Sequence, residues 1–262
     1  MSDPSMTEQA ALPTPAGSTA PADSGLPAAP RAEPADFYAV GLHFKITKAY
    51  ELAAIWLRRA ADAGSAPAQY HLGSLHKHGQ GVPQDPAEAA VWYRRAAEQG
   101  HARAQCSLGV LFKTGAGVPQ DFDQAAMWLR RSAEQGYAVA QYHLGTLYRE
   151  GLGVERDSVI AGRWFALAAE QGSIPAQYQL GLLYRDGHGV AQDFAEAAAW
   201  MRRAAEQGCS YAQYGLGMLY QRGQGVPRDD DQAATWLRKA LDQGYSGAAL
   251  AVDAFGAPAT RQ

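Results

Sequence analysis

Residues 68–100 read AQYHLGSLHKHGQGVPQDPAEAAVWYRRAAEQG, and related stretches begin at residues 104, 140, 176 and 212. The interval is 36 residues, and the six tryptophans keep it: Trp56, Trp92, Trp128, Trp164, Trp200 and Trp236. A fixed period of this length is typical of stacked supersecondary units, none of which can bury its apolar face alone. The sequence therefore predicts a repeat protein rather than a domain with one central core.

Each unit is predicted to be a pair of helices. Ala68, Leu72 and Leu75 share one face of a first helix. Gly79 is expected to end that helix in a left-handed conformation, and Asp85 to cap the next one in a capping box. The buried side of the second helix is predicted to comprise Ala89, Trp92, Tyr93 and Ala96. The unit is thus a helical hairpin whose Gly-x-Gly loop serves as a turn.

These motifs resemble a known repeat. Ala-Gln-Tyr-x-Leu-Gly-x-Leu-Tyr, Gly-x-Gly-Val and Ala-Ala-x-Trp-x-Arg-Arg-Ala-Ala-Glu-Gln-Gly are similar to the Sel-one-like repeat, the 36-residue relative of the tetratricopeptide repeat. The resemblance covers 66–245 as five full units. It implies an all-α, right-handed superhelical α-solenoid of stacked antiparallel helix hairpins. It also implies a scaffold or adaptor, since proteins with this repeat serve in signalling, envelope assembly and host interaction.

The ends of the chain differ from the repeats. Residues 1–33 are rich in alanine and proline, and we expect them to be disordered. Residues 34–65 keep Trp56 but lack the glycine pair, which predicts a degenerate N-terminal capping repeat. Residues 246–262 are expected to form a C-terminal capping helix and tail, because the terminal units of solenoids are atypical.

Charge and cysteine content restrict the function. The net charge of −3 falls within the first 34 residues, so the remainder is neutral, which argues against nucleic-acid binding driven by charge. Cys106 and Cys209 lie in units too far apart for a disulfide, and free thiols favour a reducing compartment. No stretch has the length of a membrane span. We therefore expect a cytoplasmic protein, with a monomer favoured.

Paired basic residues on the second helices suggest an alternative. They are expected to form a solvated convex surface with ion pairs to neighbouring glutamates, or else a basic stripe that binds nucleic acid. The pairs are Arg58/Arg59, Arg94/Arg95, Arg130/Arg131, Arg202/Arg203 and Arg238/Lys239. In the unit 138–173 the pair is replaced by Ala166 and Leu167.

An enzyme or small-ligand protein is a further alternative, because the resemblance extends to secreted, cysteine-rich relatives described as penicillin-binding. Those relatives carry paired cysteines in each unit, which this chain lacks. The sequence offers no catalytic motif, no histidine spacing typical of zinc and no cofactor motif. We therefore expect no enzyme activity, no metal and no cofactor.

The residues that vary between units indicate a binding surface. Three positions of the first helix vary most, and their spacing places them on one stripe beside the core face. This predicted stripe comprises His71, Ser74, His78, Ser107, Val110, Thr114, His143, Thr146, Glu150, Gln179, Leu182, Asp186, Met218 and Arg222. First helices line the concave groove of such solenoids, and the stripe mixes apolar with polar groups. It is therefore expected to capture a protein or peptide partner.

Overall fold

The computed structural model describes residues 34–251. Twelve α-helices of 13 residues each lie in this range, followed by a short 3-10 helix. The helices are α1 Pro34–Ile46, α2 Tyr50–Asp62, α3 Ala66–His78, α4 Pro86–Glu98, α5 Ala102–Thr114, α6 Phe122–Glu134, α7 Ala138–Glu150, α8 Ser158–Glu170, α9 Ile174–Asp186, α10 Phe194–Glu206, α11 Ser210–Arg222 and α12 Asp230–Asp242. Each helix packs against the one before it and the one after it. The described residues thus form the predicted α-solenoid of six antiparallel hairpins.

Local sequence explains where the helices start and stop. The Asp85 carboxylate accepts hydrogen bonds from the backbone N–H groups of Ala87 at 2.9 Å and Glu88 at 3.0 Å, which caps α4. Gly79 ends α3 with φ 64°, and its N–H donates to the Leu75 carbonyl. The reciprocal half of the predicted capping box is replaced by another bond, because Glu88 accepts from the indole N–H of Trp92 at 2.8 Å.

The core of each hairpin is built from small and branched residues. Ala68, Leu72 and Leu75 are fully buried, as predicted. Gly73 lies so close to the next helix that an added Cβ would be 2.9 Å from the Tyr93 ring. The same approach joins Gly109 to Leu129, Gly145 to Phe165, Gly181 to Met201 and Gly217 to Leu237. A residue without a side chain at this position therefore sets how closely the two helices of a hairpin pack.

The second glycine of each Gly-x-Gly loop lies against the preceding unit. A Cβ added to Gly81 would be 2.2 Å from the carbonyl carbon of Tyr50, at the start of α2. At Gly117 it would be 2.3 Å from the carbonyl carbon of Pro86, at the start of α4. The loop is therefore both a turn and a point of close backbone contact between neighbouring hairpins.

The tryptophans do not all have the predicted position in the core. Trp92 and Trp128 are buried, whereas Trp56, Trp164, Trp200 and Trp236 are half-buried. The Arg95 guanidinium lies 4.5 Å from the centroid of the Trp92 ring, and the Arg203 guanidinium lies 4.3 Å from that of Trp200. The tryptophans therefore sit where the second helix meets the surface. In the five units that keep a basic pair, its second member covers the outer face of the tryptophan.

A ladder of buried glutamines connects successive hairpins. The side-chain amide of Gln105 donates to the carbonyl of Ala97, near the end of α4, at 3.0 Å. Its side-chain oxygen accepts from Gln135, which follows α6, at 2.7 Å. The glutamine ladder repeats at Gln69, Gln141, Gln177 and Gln213. Each ladder glutamine therefore ties its own first helix to the ends of two second helices.

The two ends of the described range resemble the units between them. Gly41 in α1 approaches Leu57 in α2 as Gly73 approaches Tyr93, with an added Cβ 2.8 Å from the Leu57 Cγ atom. At the other end, the 3-10 helix Ser246–Ala248 places Ala248 in a buried cluster with Leu237. The predicted disordered tail 1–33 and residues 252–262 of the predicted C-terminal capping helix and tail lie outside the described residues.

Candidate partner-binding surface

The first helices α1, α3, α5, α7, α9 and α11 present one face that is only partly covered, here called the first-helix face. In α3 it comprises Pro67, the ring pair Tyr70 and His71, Ser74, and the end residues Lys77 and His78, all of them half-buried or exposed. The predicted stripe lies on this face. It spans part of the face, and its three positions differ in how accessible they are.

The first of the three stripe positions faces the preceding hairpin; its residues are His71, Ser107, His143 and Gln179. The Nδ1 atom of His71 lies 3.0 Å from the Nζ atom of Lys45 in α1, and the imidazole stacks on Tyr38. Gln179, at the same position of α9, accepts a hydrogen bond from Arg149. Ser107 and His143 are half-buried there. Side chains at this position therefore meet the end of the preceding first helix and remain partly exposed.

The stripe position of Ser74 is the least accessible of the three. Thr146 is buried and donates to the Tyr142 carbonyl at 3.0 Å, so its predicted place on a binding surface is wrong. Val110, Leu182 and Met218 are half-buried and pack against core clusters. Lysine substitutions at these three residues would disturb packing as well as binding, so they are poor probes of a partner site.

The stripe position of His78 is exposed in every unit and ends the first helix. His78 and Thr114 donate to carbonyls of their own helices, at Ser74 and Val110. Glu150 pairs with Arg149 at 2.8 Å, and Asp186 pairs with Arg185 at 2.7 Å. Arg222 is exposed in α11. This position therefore sets the charge at one edge of the first-helix face.

The residue just before that position carries a positive charge in five successive units, which the analysis of varying residues missed. This basic row comprises Lys45, Lys77, Lys113, Arg149 and Arg185. Members of the row reach the next unit, as the contacts of Lys45 with His71 and of Arg149 with Gln179 show. The repeat period could have revealed this row, because Lys77, Lys113, Arg149 and Arg185 follow one another at intervals of 36 residues.

Two further groups on this face were missed. One lies near the start of the first helix, where Val139 is 45% and Tyr211 is 56% exposed. The other is a row of half-buried rings toward the C-terminal units, where Tyr211 contacts Tyr178 and Tyr245. Tyr214 also packs on Tyr245, with ring centroids 5.0 Å apart. The first-helix face therefore offers large, partly exposed rings of the kind that anchor protein partners.

Burial keeps two histidines of this face, His71 and His143, neutral at neutral pH. The pKa of His71 is lowered to about 4 by burial and by the nearby charges of Lys45, His101 and Arg103. Burial and the Lys113 charge lower the pKa of His143 to about 4. At neutral pH the positive charge of the face is therefore carried by its lysines and arginines.

The second-helix surface differs from its predicted form. Ion pairs between the twin basic residues and their glutamates were expected. In residues 34–251, however, the ion pairs involve Arg149, Arg185 and Arg228. The twin residues instead lie on aromatic rings, as with Arg131 on Trp128 at 4.8 Å and Lys239 on Trp236 at 4.2 Å. The indole quadrupole attracts a cation that is partly shielded from water, so packing outweighs exposed pairing with glutamate.

Of a metal site, a ligand cleft and a membrane-spanning helix, the described residues contain a cleft alone. The described part contains no group of three or more histidine, cysteine or acidic side chains that could hold a metal ion. A cleft of about 450 Å³ is lined by Arg149, Glu150, Arg156, Ser158, Leu183 and His188. Within 34–251, every α-helix has 13 residues, and none is long and apolar enough to cross a bilayer.

Sequence and structure comparisons agree on the type of repeat. The Sel1 repeat family matches residues 35–65, 66–101, 102–137, 138–173, 174–209 and 210–245. The shorter first unit, which lacks the glycine pair, is included in that match. No curated protein sequence shows significant similarity to the chain.

Several solved structures are similar. A protective antigen of uropathogenic Escherichia coli strains, which displays an SLR fold, is 37% identical with a TM-score of 0.81, over 87% of this chain and 51% of its own. This chain thus spans about half the length of that antigen. A Sel1 repeat protein from Oxalobacter formigenes is 33% identical with a TM-score of 0.77, over 83% of this chain and 86% of its own.

An immunity protein from Pseudomonas aeruginosa shares the fold alone, at 20% identity and a TM-score of 0.51, over 82% of this chain and 83% of its own. The family matches cover the six hairpins from residue 35 to residue 245, including the helices that form the first-helix face. On this evidence the chain belongs to the Sel1 repeat family.

Proposed function

We propose that this chain is a non-enzymatic scaffold that captures a partner protein or peptide in a concave groove formed by the first-helix face. The proposal rests mainly on the composition of that face. It combines the exposed apolar side chains of Val139 and Tyr211, the row of tyrosines and the basic row. Large rings and cations that are partly exposed contribute strongly to protein interfaces.

The second-helix surface is the weaker candidate. Its arginines are already in contact with aromatic rings, such as Arg94 with Phe112 and Arg202 with Tyr220. A phosphate that bound these guanidinium groups would compete with those contacts. This disfavours the alternative of nucleic-acid binding by a convex basic stripe. The alternative of an enzyme or cell-wall ligand protein has no catalytic constellation among the described residues to support it.

A pair of matched variants tests the proposal. Val139→Lys with Tyr211→Lys places charge on the first-helix face. Val159→Lys with Leu167→Lys places the same charge on α8, where Val159 is 47% and Leu167 is 45% exposed. Cross-linked capture of partners from native cells is expected to fall at least about tenfold for the first variant, a loss of about 1.4 kcal/mol. Capture by the second variant should stay within about twofold.

Both variants must first show parental circular dichroism and melting temperature. The opposite result, with capture lost only when Val159 and Leu167 are changed, would place the partner on the second helices. Equal capture by both variants and the parent would contradict a partner site on either surface.

The compartment is part of the same proposal. Cys106 is buried and Cys209 half-buried, and both are free thiols. Burial raises the pKa of Cys106 to about 12, so its thiol is unreactive. Free thiols favour a cytoplasmic location, which cell fractionation checks directly.

A further inference from the structure

The basic row is divided into two electrostatic halves. Arg149 and Arg185 are each followed by a carboxylate, and both form ion pairs with it, to Glu150 and Asp186. The residues that follow Lys45, Lys77 and Lys113 are Ile46, His78 and Thr114, which carry no negative charge at neutral pH. The positive charges are therefore locally neutralised in the later units and not in the first three.

The surroundings of the three lysines strengthen this division. Arg103 is exposed near the start of α5, and its charge lowers the pKa of both His71 and His101. All the charged groups that shift the pKa of His71, His101 and His143 are basic. On the opposite side of α3, burial lowers the pKa of His76, and its charged neighbours are of both signs: Glu88 and Asp85 raise the pKa, and Arg58 lowers it. In the described chain no ion pair includes a lysine of the row or Arg103.

We infer that Lys45, Lys77, Lys113 and Arg103, here called the lysine patch, bind an acidic segment of the partner protein. The inference rests on the proposed function, since it assigns a chemical class to the ligand of that groove. Carboxylates on the segment would supply the negative charge that the first three units lack. Because the patch is partly covered by neighbouring helices, such pairs are less screened by salt than fully exposed ones.

The geometry also sets a spacing for the acidic residues. The row lies on successive first helices, and the contact of Lys45 with His71 shows that α1 and α3 meet, so one lysine of the row follows another at roughly 10 Å. An extended peptide advances ~3.3 Å per residue. A carboxylate at about every third residue would therefore meet one lysine per unit.

An acidic peptide fits this face better than a nucleic acid does. A phosphate backbone continuing past the patch would find Arg149 and Arg185 already paired with Glu150 and Asp186, so it would gain little attraction there. A peptide can change from acidic to apolar side chains along its length. Its apolar part would then reach the tyrosines near Tyr178 and Tyr211.

The test uses a defined probe. A fluorescent peptide with four repeats of Glu-Gly-Ser is titrated by anisotropy against the whole chain, beside a peptide in which every Glu is Gln. The acidic peptide is expected to bind at least about tenfold more tightly, and its binding should weaken toward ~1 M salt. Equal binding of the two peptides would overturn the inference.

Variants locate the site. Lys45→Gln, Lys77→Gln and Lys113→Gln together should weaken binding of the acidic peptide at least tenfold. The control Arg156→Gln, Arg163→Gln and Arg238→Gln removes the same charge from exposed residues elsewhere and should stay within twofold. Since Lys45 contacts His71, the double variant of Lys77 and Lys113 repeats the test with that contact intact. Equal loss from patch and control variants would overturn the inference.

A gain of binding provides an independent check. Glu150→Gln with Asp186→Asn releases Arg149 and Arg185 from their ion pairs, which extends the unneutralised row to five units. A six-repeat version of the acidic peptide should then bind at least threefold more tightly than it does to the parent. Unchanged or weaker binding would contradict the division of the row.

The same binding assay shows whether the lysine patch instead binds the chain's own N-terminal segment or a single-stranded nucleic acid. If deletion of residues 1–33, which include Asp3, Glu8, Asp23 and Glu33, tightened probe binding tenfold, the patch would belong to the chain's own N-terminal segment, and the inference would fail. Tighter binding of a twelve-residue oligothymidine than of the acidic peptide would also overturn it. If the Val139 and Tyr211 variant loses capture while the acidic peptide fails to bind, the groove stands and only its ligand class is wrong.

Discussion

Gly117 and Gly136 lie in the same unit and share a left-handed backbone, with φ 74° and 84°. Their surroundings differ. A Cβ on Gly117 would lie 2.3 Å from the carbonyl carbon of Pro86, whereas a Cβ on Gly136 would have nothing within 4 Å. The pair therefore separates the cost of the backbone conformation from the cost of pressing on the neighbouring hairpin.

Gly136→Ala is expected to destabilise the protein by about 1–2 kcal/mol, the cost of an L-residue in this conformation. Gly117→Ala should cost a further 1–3 kcal/mol or so, because the added methyl group collides with backbone that cannot rotate away. Urea denaturation followed by circular dichroism measures both values. Equal losses would show that the loop contact between hairpins tolerates a side chain.

These glycines show what residue-level patterns can predict. The Gly-x-Gly pattern correctly indicated a turn, because a left-handed helix end is a local property of the chain. The contact of Gly117 with α4 could not be derived in the same way. It depends on how one hairpin stacks on another, and the pattern within one unit does not specify that geometry.

At the scale of the helices, two glutamines of one unit provide a similar comparison, because one belongs to the glutamine ladder and the other does not. Gln105 is buried and bonds to two second helices, while Gln120 is exposed and donates to the Lys113 carbonyl at 2.9 Å. The two residues make bonds of similar length in different settings. They provide a matched test of what the ladder contributes.

Gln105→Leu is expected to cost about 1–3 kcal/mol, because it removes two hydrogen bonds worth about 0.5–1.5 kcal/mol each. Gln120→Leu should change stability by no more than about 0.5 kcal/mol, as exposed substitutions usually do. Thermal and urea unfolding of both variants provide the comparison. A neutral Gln105→Leu would mean that apolar packing holds the helices together without the ladder.

Helix ends and helix faces were the elements best predicted, since aspartate caps and apolar periodicity act within about one helical turn. The expectation that every tryptophan lies in the core holds for Trp92 and Trp128 and is wrong for the other four. The periodicity placed each tryptophan on the inner side but gave no account of the neighbouring arginine. The ion pairs expected for the arginines failed for the same reason, because an aromatic ring three residues away is the nearer partner.

For the whole molecule, the neutral histidines predict how stability depends on pH. The pKa of His71 and that of His143 are both about 4 in the folded chain, below the ordinary value of 6.5. The unfolded chain therefore binds more protons between pH 6.5 and 4, and stability falls as the pH is lowered through that window. His71→Gln with His143→Gln should reduce this loss, and Gln179 shows that glutamine occupies the same position in another unit.

The measurement is the melting temperature of parent and variant at pH 7 and pH 4.5. The drop should be smaller in the variant by at least about 2 °C, while carboxylates common to both proteins contribute equally. Identical drops would show that the two imidazoles are protonated without opening the structure. A larger drop in the variant would contradict the sign of the argument.

At this scale the sequence indicated a stripe on one face of the first helices, and the binding of a partner by that face is our proposal. Variation between units selected positions on the first-helix face, but Thr146 among them is buried. The same criterion overlooked the basic row, since a position that keeps its charge in successive units does not vary. Whether a member of the basic row is neutralised also depends on its contacts. Arg149 is followed by Glu150 and pairs with it, whereas Lys113 is followed by Thr114.

The ladder bonds that join units in residues 34–251 connect immediate neighbours, as Gln105 does with Ala97. Such bonds determine how one hairpin packs on the next, but they do not determine the number of hairpins. Insertion of a whole 36-residue unit would reproduce every junction, whereas a shorter insertion would shift glutamine and glycine out of reach of their partners. The number of hairpins can therefore change without any new kind of contact between them.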